Sequence, residues 1–307
     1  MEKKTTVMGR QENYNLSEKL AHVIFVTCAA VSVLAVISIT AYMIYSGLPA
    51  LIKVGPAHIL FKTVWQPTEG KYGIAYIILT SIVGTGVAVL IGVPIGLLTA
   101  VALSELCGPK VKRILQSAIE LLAGIPSVIY GLLGILIINP AMYTLEKVIY
   151  GIHSSHQFTG GANLLAAIIV LVIMILPTLI NVSATALDAV ADDLRMSSRA
   201  LGATQMQTVF KVVIPAAKNG ILSAIVLSVG RAIGEAMAIL LVAGNAVNLP
   251  LPFNSVRFLT TAIVSEMAYS SGLHRQVLFT IGLVLFVFIM IINVILNIAL
   301  KKGKNNE

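Results

Sequence analysis

The sequence predicts an all-α integral membrane protein of about six transmembrane helices. Three observations carry that expectation. Hydrophobic residues make up 57% of the chain and charged residues 11%, where a soluble domain carries about 25% charged, and the mean hydropathy is +0.93. Six apolar runs, near 21–46, 73–103, 114–140, 163–187, 220–247 and 276–300, each reach the roughly 20 residues a helix needs to cross hydrocarbon. Lys and Arg, finally, alternate from connection to connection as they do in multi-pass chains.

The first run follows a basic tail, 1–20, holding Lys3, Lys4, Arg10 and Lys19. It is longer than the roughly 7–15 apolar residues of a cleaved signal, so it reads as a retained span. The outward connections 47–72 and 248–275 are moderate loops rich in Pro and Gly, and Trp65 and Tyr72 are expected as interfacial anchors. Basic residues gather in the tail 1–20, in Lys110, Lys112 and Arg113, in Arg195, Arg199, Lys211 and Lys218, and in Lys301, Lys302 and Lys304. That places 14 on one side against six on the other. The excess predicts cytoplasmic termini and cytoplasmic second-to-third and fourth-to-fifth connections.

Several functions are excluded or weakened. The net charge of +8 comes without a basic stripe interleaved with aromatics, so no nucleic-acid partner is expected. No phosphate loop, nucleophile elbow or HExxH occurs, so neither ATP hydrolysis nor other catalysis is expected of this chain. Cys28 and Cys107 read as packing residues, and His153 with His156 lacks the companions of a metal site. No catalytic residue, metal or cofactor is expected.

Three ionisable residues fall inside the apolar runs: Glu120, Arg231 and Glu235. Such groups are costly in hydrocarbon and usually face a cavity or a partner. Glu120 lies near the start of its run and reads as a snorkelling or capping group. Arg231 and Glu235 are four apart, a spacing that lets them pair on one helix face. Two readings stand: an internal ion pair locking helices, or an anion path lined by Arg231, whose forked guanidinium suits tetrahedral oxyanions. Small residues at fourfold spacing (Gly230, Gly234, Ala238; Ser228, Ala232, Ala236) predict close packing against another helix. Pro126, after Gly124 and Ile125, interrupts the third run, and mid-span breaks often build transporter sites.

The connection 188–219 is the most specific segment. Met196-Ser197-Ser198-Arg199-Ala200-Leu201-Gly202 precedes Val212-Val213-Ile214-Pro215, and Met206, Val209, Phe210 and Val213 form an i, i+3, i+4, i+7 apolar stripe. A short helix, a glycine turn and an amphipathic helix would make a compact knob that rests on lipid or docks in a partner's groove.

That pattern resembles the coupling loop of binding-protein-dependent ABC-importer permeases. Met196, Ser197 and Ser198 stand where the family usually has Glu-Ala-Ala, which removes a carboxylate but leaves the helix-turn-helix expected. Within the family, Trp65-Gln66-Pro67 with Tyr72-Gly73-Ile74, the run Ala123–Gly131 containing Pro126-Ser127-Val128-Ile129-Tyr130, and Gly230-Arg231-Ala232-Ile233-Gly234-Glu235-Ala236-Met237-Ala238 resemble phosphate permeases of the PstC type. The resemblance implies a type I ABC-importer permease fold: tail 1–20, permease domain 21–300 with its coupling loop at about 188–219, and tail 301–307. It implies a multi-pass subunit of a bacterial inner membrane that translocates inorganic phosphate. It further implies four kinds of neighbour: a sister permease forming a heterodimer, two copies of a cytoplasmic ATPase, an extracytoplasmic phosphate-binding protein, and membrane lipid. Arg231 and Glu235 would lie on the translocation path, and Met196, Ser197, Ser198, Gly202 and Pro215 would belong to the ATPase-coupling loop. Another oxyanion such as sulfate or molybdate, a gradient-driven carrier, and a non-transporting sensor or scaffold remain open at this stage.

Overall fold

The computed structural model describes residues 3–151 and 157–304; His153 and His156 lie outside them. Helix α1, Lys3–Val54, is followed by α2, Pro56–Phe61, and a two-residue hairpin, β1 Trp65–Gln66 and β2 Lys71–Tyr72, whose turn places Gly70 at φ 71°. Then come α3, Ala75–Val101, running into a π turn Ala102–Leu106; α4, Pro109–Gly124; α5, Ser127–Leu133; a π turn Gly134–Ile138; and α6, Asn139–Tyr150. Next are α7, Leu164–Asp188; α8, Asp192–Ala200; α9, Gln205–Thr208; a π turn Val209–Val213; and α10, Ile214–Ala216. The chain closes with α11, Lys218–Gly234; α12, Met237–Val242; α13, Leu259–Glu266; and α14, Gly272–Lys304.

Among the described residues five helical stretches are long and apolar enough to cross a bilayer: Glu18–Val54, Ala75–Leu106, Ser127–Tyr150, Leu164–Asp188 and Gly272–Ile295. The pair Gln205–Ala216 and Lys218–Gly234, bent by 70°, makes a sixth. The helical axis of the first and last spans continues into both tails, to Lys3 and Lys304.

Two of the expected runs are not continuous helices. In 114–140 the helix stops at Gly124, with Ile125 at ψ 129° and Pro126 at ψ 139°. The proline ring disfavours the helical conformation of the residue before it and supplies no N–H of its own. The piece before the break, α4, is amphipathic: Arg113, Gln116, Ser117 and Glu120 recur at helical spacing and line one groove of about 380 Å³ with Pro109 and Lys112. Glu120 is exposed on this helix, before the span and not within it. In 220–247 the helix ends at Gly234, and Glu235 turns extended at ψ 132°.

The core is layered along α7. No residue in the most apolar window of α1 is buried, whereas 61% of the corresponding window of α7 is, so α7 is the central post and α1 an outer one. Around the middle of α7, Leu171, Met174 and Ile175 pack with Ala88, Ile239, Val242 and Phe258. At one end Ile59, Tyr72, Ile74 and Ile77 meet Leu259, Val277 and Leu278. At the other, Ala100, Leu103, Ile180 and Leu187 meet Val209, Val213 and Ile221. We refer to these as the hairpin end and the knob end.

Close approach of α3 to α7 comes from a stripe at every fourth residue: Gly84, Ala88, Gly92, Gly96 and Ala100, all buried. A Cβ on Gly92 would sit 2.6 Å from Ile175 Cδ1, and one on Gly96 2.5 Å from Leu179 Cδ2. Of the two lines expected to pack on α11, Ser228 and Ala232 are buried as expected; the Gly230 line is not. A Cβ added to Gly230 or to Gly234 would meet nothing within 4 Å, and the break at Glu235 takes Ala238 off their line. Ala238 instead meets Gly131 of α5, whose Cβ would lie 2.9 Å from Ala238 Cα.

The two aromatics expected as interfacial anchors, Trp65 and Tyr72, pack into the protein. Tyr72 is buried, and Trp65 packs edge-on to Tyr72 and His274 at 5.9 Å between centroids.

Candidate functional site

The two broken helices face one another. α5 begins just after Pro126, α12 just after Glu235, and the two pack through Gly131 against Ala238 and Gly134 against Val242. Tyr130 ties the first break together by donating from its hydroxyl to the Leu122 carbonyl, 2.7 Å away across Pro126.

At the second break the expected pairing of Arg231 with Glu235 does not form among the described residues. Once Glu235 is extended, its carboxylate turns forward and accepts from the Ala238 N–H at 2.9 Å, capping α12. Its backbone carbonyl accepts from the Thr260 hydroxyl at 2.6 Å. Glu235 is 9% exposed. Arg231, at the last turn of α11, donates from Nη1 to Thr178 Oγ1 of α7 at 3.0 Å, just after Pro177. The Arg231 guanidinium is half-buried and acts electrostatically on the Tyr130 phenol. Among the described residues Thr178 is its one hydrogen-bond partner, and a guanidinium carries five N–H donors. Most of its donors are therefore available to a ligand, at a point where three elements (α5, α7 and α11) converge.

The knob takes the expected shape. α8 ends at Ala200 with Leu201 as its C-cap, Gly202 turns at φ 87°, and α9 starts behind a capping box in which Thr204 and Gln207 satisfy each other's backbone N–H groups. Ser198 and Thr208 hydroxyls meet at 3.0 Å and hold the two limbs together. Pro215 lacks an N–H and would clash with a carbonyl one turn back; the π turn Val209–Val213 just before it opens the ladder, with Ile214 N–H reaching back to Val209 O. That wider winding splits the expected stripe: Val209 and Val213 are buried, while Met206 and Phe210 face outward with Met196 and Leu201, the last 90% exposed. Ser197 lies on α8, outside the hydrogen bonds that join the limbs.

Sequence reasoning counted Arg195 and Lys112 only as loop charges and passed over Glu105 and Asp188. Arg195 Nε and Nη2 both donate to Glu105 Oε1, at 3.2 and 2.8 Å, and Nη2 also donates to Leu187 O at 2.8 Å. Its Nη1 donates to Val190 O and to Asp192 Oδ1. The hydrogen bond to Glu105 holds the Arg195 pKa above its ordinary value, against the opposing effect of burial. Gln205 Nε2 donates to the Glu105 carbonyl at 2.7 Å, and Lys112 Nζ pairs with Asp188 at 2.7 Å, beside Ser104. At the hairpin end, Glu266 gathers Arg257, Trp65 Nε1 at 3.2 Å and His274 Nε2 at 2.8 Å. The partners in these clusters are up to 201 residues apart in sequence, beyond any local pattern; the available signs were lone carboxylates closing apolar runs, at Glu105 and Asp188.

Similarities to other proteins fit this geometry. The family model for "Binding-protein-dependent transport system inner membrane component" matches residues 92–302. A probable ABC transporter permease protein, YqgH of Bacillus subtilis, is 36% identical over 298 residues, covering 93% of each chain. The phosphate transport system permease protein PstC of Mesorhizobium japonicum is 32% identical over 275 residues, covering 86% of this chain and 84% of its own. Among solved structures, a chain of a bacterial ABC transporter involved in the import of the acidic polysaccharide alginate superposes with a TM-score of 0.58 at 16% identity, over 86% of this chain and 95% of that one. At that identity the likeness speaks for the fold alone. With a matching model across more than two thirds of its length, this chain belongs to the family of binding-protein-dependent transport system inner membrane components, and is a permease subunit and not an enzyme.

Proposed function

We propose that this chain is the permease subunit of an ATP-driven importer that moves inorganic phosphate into the cytoplasm. The relative named as a phosphate permease supports the substrate. The structural observation that carries the reading is Arg231: a guanidinium inside the membrane-spanning bundle, held by one hydroxyl, Thr178, with its other donors free among the described residues. Such a group favours an anion without enclosing it, and a shallow well suits a path that must also release. Glu235, capping α12, sets the break that ends α11 beside Arg231. A carboxylate there limits how tightly an anion is held.

The chain works with a sister permease as a heterodimer, with two ATPase copies at the knob end and a phosphate-binding protein at the hairpin end, in a bacterial inner membrane. The Lys and Arg excess supports a cytoplasmic knob and cytoplasmic termini. Met196, Ser197, Ser198, Gly202 and Pro215 shape the knob that seats in the ATPase, its exposed face carried by Met196, Leu201, Met206 and Phe210. Nucleotide binding closes the ATPase pair and moves the knob; the bundle switches because nucleotide binds one state better than the other.

The test is labelled-phosphate uptake at low external phosphate in cells lacking the gene and in cells with it restored, with unlabelled sulfate and molybdate as competitors. Restored uptake that neither competitor suppresses is expected. Uptake unchanged by the deletion, in cells without a second phosphate system, would overturn the assignment.

A further inference from the structure

Force applied to the knob has to reach the spans: Val209 and Val213 of the second limb pack among Ala100, Leu103, Ile180 and Leu187, and among the described residues the polar contacts from both limbs to the spans gather at one place. Arg195, on the first limb, binds the Glu105 carboxylate at the end of α3 and the Leu187 and Val190 carbonyls at the end of α7. Gln205, on the second limb, binds the backbone carbonyl of the same Glu105. The Glu105 side chain is 5% exposed and that of Arg195 13%, so water screens this pair little, and two guanidinium N–H groups close on one carboxylate oxygen, Oε1, while others hold the Leu187 and Val190 carbonyls. Both limbs therefore converge on one residue, at the π turn where α3 ends. α3 is in turn locked to α7 by its small-residue stripe, and α7 carries Thr178, the partner of Arg231.

We propose that Glu105 and Arg195 form a clasp that makes the knob, α3 and α7 move as one body, converting the ATPase stroke into movement at Arg231; this rests on the importer reading above. Both are positioning residues and touch no substrate. Without the clasp the knob still seats in the ATPase, through an exposed face that does not include them, but slides on the bundle when it is pushed. The prediction is uncoupling: hydrolysis that no longer moves phosphate.

The experiment uses the complete importer in proteoliposomes, measuring ATP hydrolysis and phosphate uptake together, with Glu105→Gln, Arg195→Lys and Gln205→Ala in this chain. Gln205 is exposed, so its variant keeps the test open if the Glu105 variant folds poorly. Expected are normal co-purification of the ATPase, retained hydrolysis, and phosphate moved per ATP reduced about fivefold or more, the lower range of coupling between sites. A second arm is independent of substrate. Spin labels at Asp193→Cys on α8 and Leu98→Cys on α3, with Cys28 and Cys107 replaced by Ala, report the knob-to-α3 distance with and without nucleotide. That distance should stay constant with the native clasp and change with Glu105→Gln. Unchanged phosphate per ATP, loss of ATPase co-purification, or a label distance indifferent to Glu105→Gln would each overturn the clasp. If the unaltered complex moves no phosphate, the substrate reading fails by itself, and the label arm still judges the clasp.

Discussion

Replacing Glu266 by Gln should loosen the hairpin end. The carboxylate accepts from Trp65 and Arg257 on Oε1 and faces His274 with Oε2. Arg257 also donates from Nε to Asn245 O at 3.0 Å. Glutamine keeps the shape and one acceptor oxygen, but it sets an NH₂ against a donor and leaves Arg257 without its counter-charge. Stripping one partner from a fully buried pair costs about 3–5 kcal/mol. Here the Glu266 side chain is 20% exposed and that of Arg257 13%, and one acceptor survives, so about 2–3 kcal/mol is the appropriate scale. The loss falls on local opening of the Trp65–Tyr72 hairpin, which amounts to about 30- to 150-fold in its equilibrium. Native-state hydrogen exchange reads this directly. The Gly73 and Ala75 amides, bonded to Val64 O and Lys62 O at 2.9 and 3.0 Å, should exchange faster by that factor, while amides in the middle of α7 stay unchanged. Exchange within about threefold of the native protein would show that the Trp65–Tyr72–His274 ring contacts hold the hairpin without the carboxylate, and would refute the reasoning.

Other outcomes follow from the same geometry. Arg231→Ala removes a charge-assisted donor worth about 1.5–3 kcal/mol and should cut uptake about 10- to 100-fold, with Arg231→Lys in between; normal uptake by the alanine variant would remove Arg231 from the path. Gly202→Ala meets no atom within 4 Å, so its cost is the backbone strain of φ 87°, about 1–2 kcal/mol, seen as a lower unfolding temperature and a knob that binds the ATPase less well. Gly96→Leu should cost about 1–3 kcal/mol by wedging α3 from α7, whereas Gly230→Leu, facing open space, should leave the stability of the isolated chain unchanged; the reverse order would misplace the packing stripe. The clasp should be insensitive to pH between about 6 and 9: a raised Arg195 pKa contributes stability that is fully present below the ordinary arginine value and lost only above it. A knob-to-α3 label distance that changed across that range would contradict this.

The spans and the knob were legible because each is written in local sequence. Apolar runs announce helices, Gly202 announces its left-handed turn, and Pro215 the end of the second limb. The breaks were half legible. Pro126 carries its own signal, but an apolar count across 114–140 adds up both sides of a break as readily as one helix. Glu235 was misjudged for a related reason: i, i+4 pairing presumes a continuous helix, and Gly234 ends it. The small-residue stripe on α3 was harder to separate from its background, since Gly or Ala occurs in every span and only the partner helix shows which row is pressed. Glu105 with Arg195, and Glu266 with Trp65, are joined across 90 and 201 residues. No periodicity reports a contact at that distance.

The pairing of α1 with α14 has a consequence for synthesis. Thr280 donates to the Gly47 carbonyl, 233 residues away, and Gly47 and Gly282 let the two helices touch. The first helix made thus finds its main neighbour in the last. At synthesis rates of about 5–20 residues per second the wait is on the order of 10–50 seconds. Throughout it α1 must remain upright in lipid alone, and its sequence suits that vigil: between Lys19 and Lys53 the only ionisable side chains are His22, Cys28, Tyr42 and Tyr45. A chain cut short before α14 would leave α1 inserted but the bundle unclosed, so loss of the last helix should present as a defect in assembly and not in insertion.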